Sequence, residues 1–169
     1  HFEYPSSEGS GFDYLRREVK LELGSLTDQR PTEQHTVRAW VVDDFPSAFT
    51  DWSCQVTALE LQRTFWEKAT ILHAEHHRPE DQAMPDRYAR HYSDMSRLLV
   101  HAEAGAMLAD QALCSRVVEW KSRVFARQWA RYDLAKPGTF RLLPPAARGA
   151  ALARDYAQMR AMFLAAPPE

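Results

Sequence analysis

The sequence predicts an α+β protein, with strands gathered in residues 1–60 and a bundle of about four helices in residues 61–169. Two observations carry that division. Period-two alternation of apolar and polar residues falls before residue 60, as around Val19–Leu23, where Val19, Leu21 and Leu23 face one way and Lys20 and Glu22 the other. Beyond it come long stretches without Gly or Pro, separated by proline boundaries at Arg78-Pro79, Pro137-Gly138, Pro144-Pro145 and Pro167-Pro168. The 169 residues suffice for one compact domain with its own core, and 45% hydrophobic with 26% charged residues is an ordinary soluble composition.

In order along the chain, residues 1–13 are polar and turn-rich and read as a loop or arm. "YLRREVKLELGS" becomes a strand from Val19, ended by Gly24-Ser25. "LTDQRPTEQ" reads as loop. "HTVRAWVVDDFP" alternates through Val37, Ala39 and Val41 and reads as a strand, "SAFTDWS" as a turn, and "CQVTALEL" as a short strand leading into a helix. That helix is "LQRTFWEKATILHAEHH", with Leu61, Phe65 and Leu72 on one stripe. "RYARHYSDMSRLLVHAEAG" is a helix with Tyr88, Tyr92, Met95, Leu99 and Ala102 in line. "DQALCSRVVEWKSRVFARQWARYDLA" reads as one long helix with Asp110 as N-cap, and the last helix follows Pro144-Pro145.

Bulk chemistry excludes several classes. A net charge of −2 gives no global attraction to nucleic acid, so such binding needs a local basic patch. Cys54 and Cys114 alone cannot build a disulfide scaffold or a cysteine zinc site, and they fit a reducing cytoplasm. No apolar run is long enough to span a membrane. The chain opens on His1 rather than Met and reads as the continuation of a longer protein.

Lys68 raises the main chemical question. At about 100° per residue it falls within roughly 40° of Leu61 and Leu72, beside an apolar stripe, where an ammonium needs water, a carboxylate or an anion. A snorkelling side chain would satisfy it; so would a carboxylate on a neighbouring helix, and Asp94 lies off the apolar stripe of its own. "HAEHH" places His73 and His77 one turn apart, but the glutamate is misplaced for a zincin H-E-x-x-H, and the P-C-x-x-C of zinc deaminases is absent. Arg116, Arg123, Arg127 and Arg131, with Lys121 nearby, form a basic row that could follow phosphates, interleaved with core-type aromatics. Glu22 in "VKLELG" is a carboxylate on a strand, a placement some phosphoryl-transfer sites use beside Mg²⁺.

In order, "VKLELGSLTDQRPTE", "RTFWEKATILHAEHHRP", "RYARHYSDMSRLL", "VVEWKSRVFARQWARYDLAKPGTFRLLPP" and "DYAQMRAMF" resemble the AbiEii/AbiGii family of nucleotidyltransferase toxins of type IV toxin–antitoxin systems. The resemblance covers residues 14–164. It implies a minimal polymerase-β-like fold, of which the strands here would be a remnant. It implies that Arg63, Thr64, Glu67 and Lys68 match an R-T-x-x-E-K motif whose lysine contacts nucleotide phosphates. Asp94 would match the essential aspartate of R-H-Y-x-D. Glu22, with Lys20 beside it, would match the acidic position of K-[IL]-E, a candidate third metal carboxylate. The family's G-S and D-x-D motif is not met: no D-x-D occurs in the sequence.

The resemblance therefore implies the C-terminal portion of a transferase that moves a nucleoside monophosphate from an NTP to an RNA acceptor such as tRNA. Mg²⁺ would need carboxylates absent from this chain, so the chain alone is expected to be inactive. The expected partners are an NTP, tRNA, a cognate antitoxin and the upstream half of the same protein. A non-catalytic helical module gripping RNA or the antitoxin through Lys121, Arg123, Arg127 and Arg131 is the alternative.

Overall fold

The computed structural model describes residues 1–3, 18–23 and 28–163. The strand end expected at Gly24-Ser25, most of the arm at residues 1–13 and the helix stop at Pro167-Pro168 lie outside the described residues. The α+β expectation holds. Two antiparallel pairs precede the helical bundle: β1 (Phe2–Glu3) with β2 (Glu18–Val19), and β3 (Thr32–Arg38) with β4 (Ser53–Leu59), the latter in register His35 to Val56.

The strands differ from expectation in extent. Alternation from Val19 to Leu23 yields a strand only at Glu18–Val19, and Leu21 and Leu23 are exposed. Thr32–Gln34, expected as loop, is strand, whereas Val41, expected in a strand, opens a short helix, α1 (Val41–Asp44). The pairing explains the shift. β3 is defined by its ladder to β4, and cross-strand Gln34–Thr57 (2.5 Å) and Gln55–Thr36 (2.6 Å) hydrogen bonds accompany it. Both strands are largely exposed, so no buried face marks where β3 starts.

β4 runs into α2 (Leu61–His76) through Glu60, which is extended and donates its backbone N–H to Pro31 C=O (3.2 Å). This ties the base of the hairpin to the first turn of α2. α2 is the central element: Phe65, Trp66, Ala69 and Leu72 pack with Met95 and Leu98 of α3 (Ala89–Leu99), Met107 of α4 (Ala104–Ala109), and Leu113, Cys114 and Val117 of α5 (Gln111–Val124). The core stripe of α3 is Tyr92, Met95 and Leu98; Leu99, expected in line, is 44% exposed. The expected helix over 87–105 breaks after Leu99, and the new start at Ala104 swings Met107 into the core.

α5 is capped as the sequence predicts, Asp110 accepting from the Leu113 N–H at 2.9 Å. It ends eleven residues early, at Val124 rather than at Ala135, and gives way to 3₁₀ turns at Gln128–Ala130 and Tyr132–Leu134. Tertiary contacts account for the break. Arg131 is left-handed (φ 48°), and its carbonyl accepts from His73 Nε2 on α2 at 2.9 Å. The turns bury Ala130 and Ala135. His73 Nδ1 in turn accepts from the Arg141 N–H (3.1 Å), so both ring nitrogens of this buried histidine serve the backbone. His76 Nδ1 bonds Leu143 C=O (2.7 Å). The "HAEHH" stretch thus clamps residues 131–143 onto α2.

α6 (Gly149–Met159) closes the fold against α3. Its Asp155 accepts from the backbone N–H groups of Arg87 (2.9 Å) and Ala89 (2.6 Å), supplying from another helix the side-chain cap that Tyr88, at the N-cap of α3, does not make. Asp155→Ala is expected to cost about 1–2 kcal/mol of stability in urea unfolding, as for a lost charged cap. Asp155→Asn should lose less, and an alanine variant as stable as wild type would deny the cap its role.

Candidate functional site

The first turns of α2 place Arg63, Thr64, Glu67 and Lys68 where the hairpin base, α5 and the segment at Asp28–Gln29 converge. A cleft of about 580 Å³ lies there, lined by Thr32, Thr57 and Leu59 of the hairpin, Thr64, Glu67 and Lys68 of α2, and Trp120, Lys121 and Phe125 at the end of α5. Asp28 and Gln29 complete its wall.

A chain of ion pairs builds one side. Arg63 is fully buried. Its Nε (3.1 Å) and Nη2 (2.6 Å) donate to Glu67 Oε1, and its Nη1 donates to Asp28 Oδ2 (2.8 Å) and Arg30 C=O (2.9 Å). Asp28 Oδ1 accepts from Arg116 (2.7 Å), and Glu67 Oε2 pairs with Lys121 at 2.5 Å. Burial works against ionisation of Asp28, but hydrogen bonds from Arg63 and then Arg116 hold its carboxyl below the usual range. Arg63 therefore welds the Asp28–Arg30 segment to α2 and fixes that wall.

Lys68 forms the other side. Its Nζ lies 2.5 Å from Asp94 Oδ2 and 3.2 Å from His91 Nδ1, two groups one turn apart on α3. An ammonium has three donors. Two partners on α3 leave one N–H for the cleft that Lys68 lines. Burial, then Lys68 and Arg90, push His91 down to about 4, so it is neutral and can accept. Asp94 opposes that shift and Lys121 adds to it.

The depressed His91 titration has a sign that can be checked. The unfolded chain takes up this proton near 6.5 while the folded one waits until about 4. The contribution to stability is whole above pH 6.5 and is lost as pH falls towards 4. His73 and His77 are lowered by burial in the same direction, so His91→Gln should reduce, without abolishing, the slope of the urea midpoint over that window. Asp28 contributes separately and lower, because its carboxyl is held below its ordinary value of 3.8. An unchanged slope between pH 6.5 and 4 in the glutamine variant would contradict this assignment.

The remaining predicted residues lie elsewhere. Lys20 and Glu22 are exposed and paired with each other, away from the cleft lining. The basic row does not form. Arg123 pairs with Glu119 (2.5 Å), Arg127 donates to Ala126 C=O (3.1 Å), and Arg131 pairs with Asp133 (3.0 Å) beyond the end of α5. Its members sit on a broken path because the helix expected to align them stops at Val124. Lys121 is 8% exposed and faces the cleft rather than an outer surface. Its position was readable: Leu113, Val117 and Lys121 recur every fourth residue, and the first two are core. Asp28 and His91 were missed as residues of this cleft, and Arg116, expected in a phosphate-following row, instead pairs with Asp28; Asp28 sat in a segment with no pattern.

Among the described residues no group of three or more His, Cys, Asp or Glu side chains could hold a metal ion. The Glu22 carboxylate is engaged by Lys20, and Asp28 and Glu67 are each shared between two cations. The described donor set does not fit a Mg²⁺ centre. No helix among the described residues is long and apolar enough to cross a membrane.

Fold and site together define an α+β protein with a cation-lined cleft between a hairpin and a helical bundle. The sequence matches, over residues 1–169, the family model described as nucleotidyl transferase AbiEii toxin, type IV TA system. The chain belongs to this family of nucleotidyltransferase toxins, whose systems include an antitoxin partner. No curated protein and no solved structure gives a significant match.

Proposed function

We propose that this chain provides the triphosphate-holding part of a cytoplasmic nucleotidyltransferase toxin that moves a nucleoside monophosphate from an NTP to RNA, with tRNA as the acceptor. The observation that carries the reading is Lys68: held by Asp94 and His91, on the lining of a cleft large enough for a nucleotide, inside a chain of the AbiEii family. In such a transfer an acceptor hydroxyl attacks the α-phosphorus. The bond to the β-phosphate oxygen breaks, pyrophosphate leaves and the hydroxyl proton is lost. Lys68 would bring a compact positive charge to the phosphates as negative charge builds on the leaving group. Asp94 and His91 would keep that ammonium in place. Thr64 and Lys121 line the same cleft. Mg²⁺ belongs to the proposal with carboxylates supplied from outside these 169 residues, and a cognate antitoxin is the expected protein partner.

The test is transfer of label from NTPs to total tRNA with Mg²⁺. A form carrying a D-x-D segment should label tRNA, and Lys68→Ala should suppress that labelling. The 169-residue chain alone should be silent. Labelling by this chain above a no-protein control would overturn the need for outside carboxylates. Absence of labelling from the form carrying the D-x-D segment with every NTP would count against the transfer reading.

A further inference from the structure

Charge around the cleft is not balanced. Lys68 is matched by Asp94. The other linked side chains run Arg116, Asp28, Arg63, Glu67, Lys121: three cations on two carboxylates. Arg63 sits in the middle and bonds both carboxylates, so the surplus charge falls at the ends. Arg116 is half exposed, and water and salt screen it. Lys121 is 8% exposed and lines the cleft. Among the described residues its one ion-pair partner is Glu67, at 2.5 Å, and that carboxylate already receives two hydrogen bonds from Arg63. The ammonium otherwise lies over the rings of Phe125 (4.8 Å) and Trp120 (5.4 Å). Aromatic neighbours lower the local dielectric and attract the cation weakly, so a half-matched charge there gains more from an arriving anion than it would in water.

We propose that Lys121 is a second phosphate-binding residue of the cleft, with Glu67 as the counterion that yields it to the ligand and remains on Arg63. The ligand class is an oligophosphate, the triphosphate of an NTP in the reading above, on which this inference rests. The division of labour follows from the pairing. Lys68 is nearly neutralised by Asp94 and orients the ligand, while Lys121 supplies the net charge that attracts it. Lys121 therefore belongs to the cleft and not to an RNA-gripping surface.

The test titrates inorganic tripolyphosphate into the 169-residue chain by calorimetry, without metal and at low salt. Wild type should bind saturably, Lys121→Met should weaken binding at least tenfold, and Lys121→Arg should restore most of it. Glu67→Gln should tighten binding, because the competing carboxylate is gone; a purely structural pair would show no such gain. If Lys121→Met fails to fold, the double variant Glu67→Gln/Lys121→Met leaves no orphaned carboxylate and should fold with the same loss. Wild-type affinity in a folded Lys121 variant, with binding lost in Lys68→Ala, would overturn this inference and leave the triphosphate reading standing. No saturable binding by wild type would overturn both.

Discussion

Lys68→Ala and Asp94→Ala are each expected to lower nucleotidyl transfer about 10²-fold or more, the range seen when a preorganised electrostatic group is removed. The expectation comes from geometry. Lys68 Nζ has two partners on α3, Asp94 at 2.5 Å and His91 at 3.2 Å. Without the lysine the cleft loses the cation held nearest to α3. Without the aspartate the ammonium remains, but only neutral His91 holds it, and a four-carbon stem can then wander through many rotamers. Because the two act as one unit, the double variant should be little worse than the worse single one.

The same pair should matter little to folding. The Asp94 side chain is 49% exposed, so the ion pair sits in water at one end, and each alanine variant should lose only about 1 kcal/mol of stability. Measuring transfer rate and urea midpoint on the same preparations separates the two readings. Near-normal transfer together with a steep fall in midpoint would make Lys68 a structural lysine covering the edge of the core. Lys68→Arg is an informative control: a planar guanidinium cannot reproduce a single ammonium shared by a carboxylate and an imidazole, so only partial rescue is expected.

How far the site was legible depends on what each residue's neighbours in sequence can say. Leu61, Phe65 and Leu72 lie at helical spacing, so Lys68 could be placed beside a buried stripe from the sequence. Asp94 could be matched to it because both lie off the stripes of consecutive helices. The start of β3 was not legible, because neither face of that hairpin is buried and alternation only registers a half-buried strand. The end of α5 was not legible either. Nothing between Phe125 and Lys136 signals a stop, and the break depends on His73, 58 positions earlier, donating to the Arg131 carbonyl. Asp28 belongs to the same class: only the fold brings it to Arg63 and Arg116.

Arg63→Met is expected to be the most destabilising single substitution in the site, costing about 3–5 kcal/mol, the range for breaking a buried ion pair from one side. Arg63 is 0% exposed and its guanidinium engages three acceptor groups at once: Glu67, Asp28 and the Arg30 carbonyl. Methionine fills much of the same volume, so packing is largely kept and the loss is electrostatic. Arg116 and Lys121 would still face one oxygen each of Asp28 and Glu67, but the other oxygens of these partly buried carboxylates and the Arg30 carbonyl would lose their donor. Lysine should not rescue, since one ammonium cannot span acceptors that a planar fork reaches together. The triple variant Arg63→Met/Asp28→Asn/Glu67→Gln should recover part of the loss, because it removes the orphaned charges along with their partner. An Arg63→Met protein within about 1 kcal/mol of wild type in urea, an ordinary surface-like effect, would mean that the network does not hold the cleft wall. A triple variant no better than the single would place the cost in the lost Arg30 contact, and the wall would then depend on the backbone of one loop rather than on its charges.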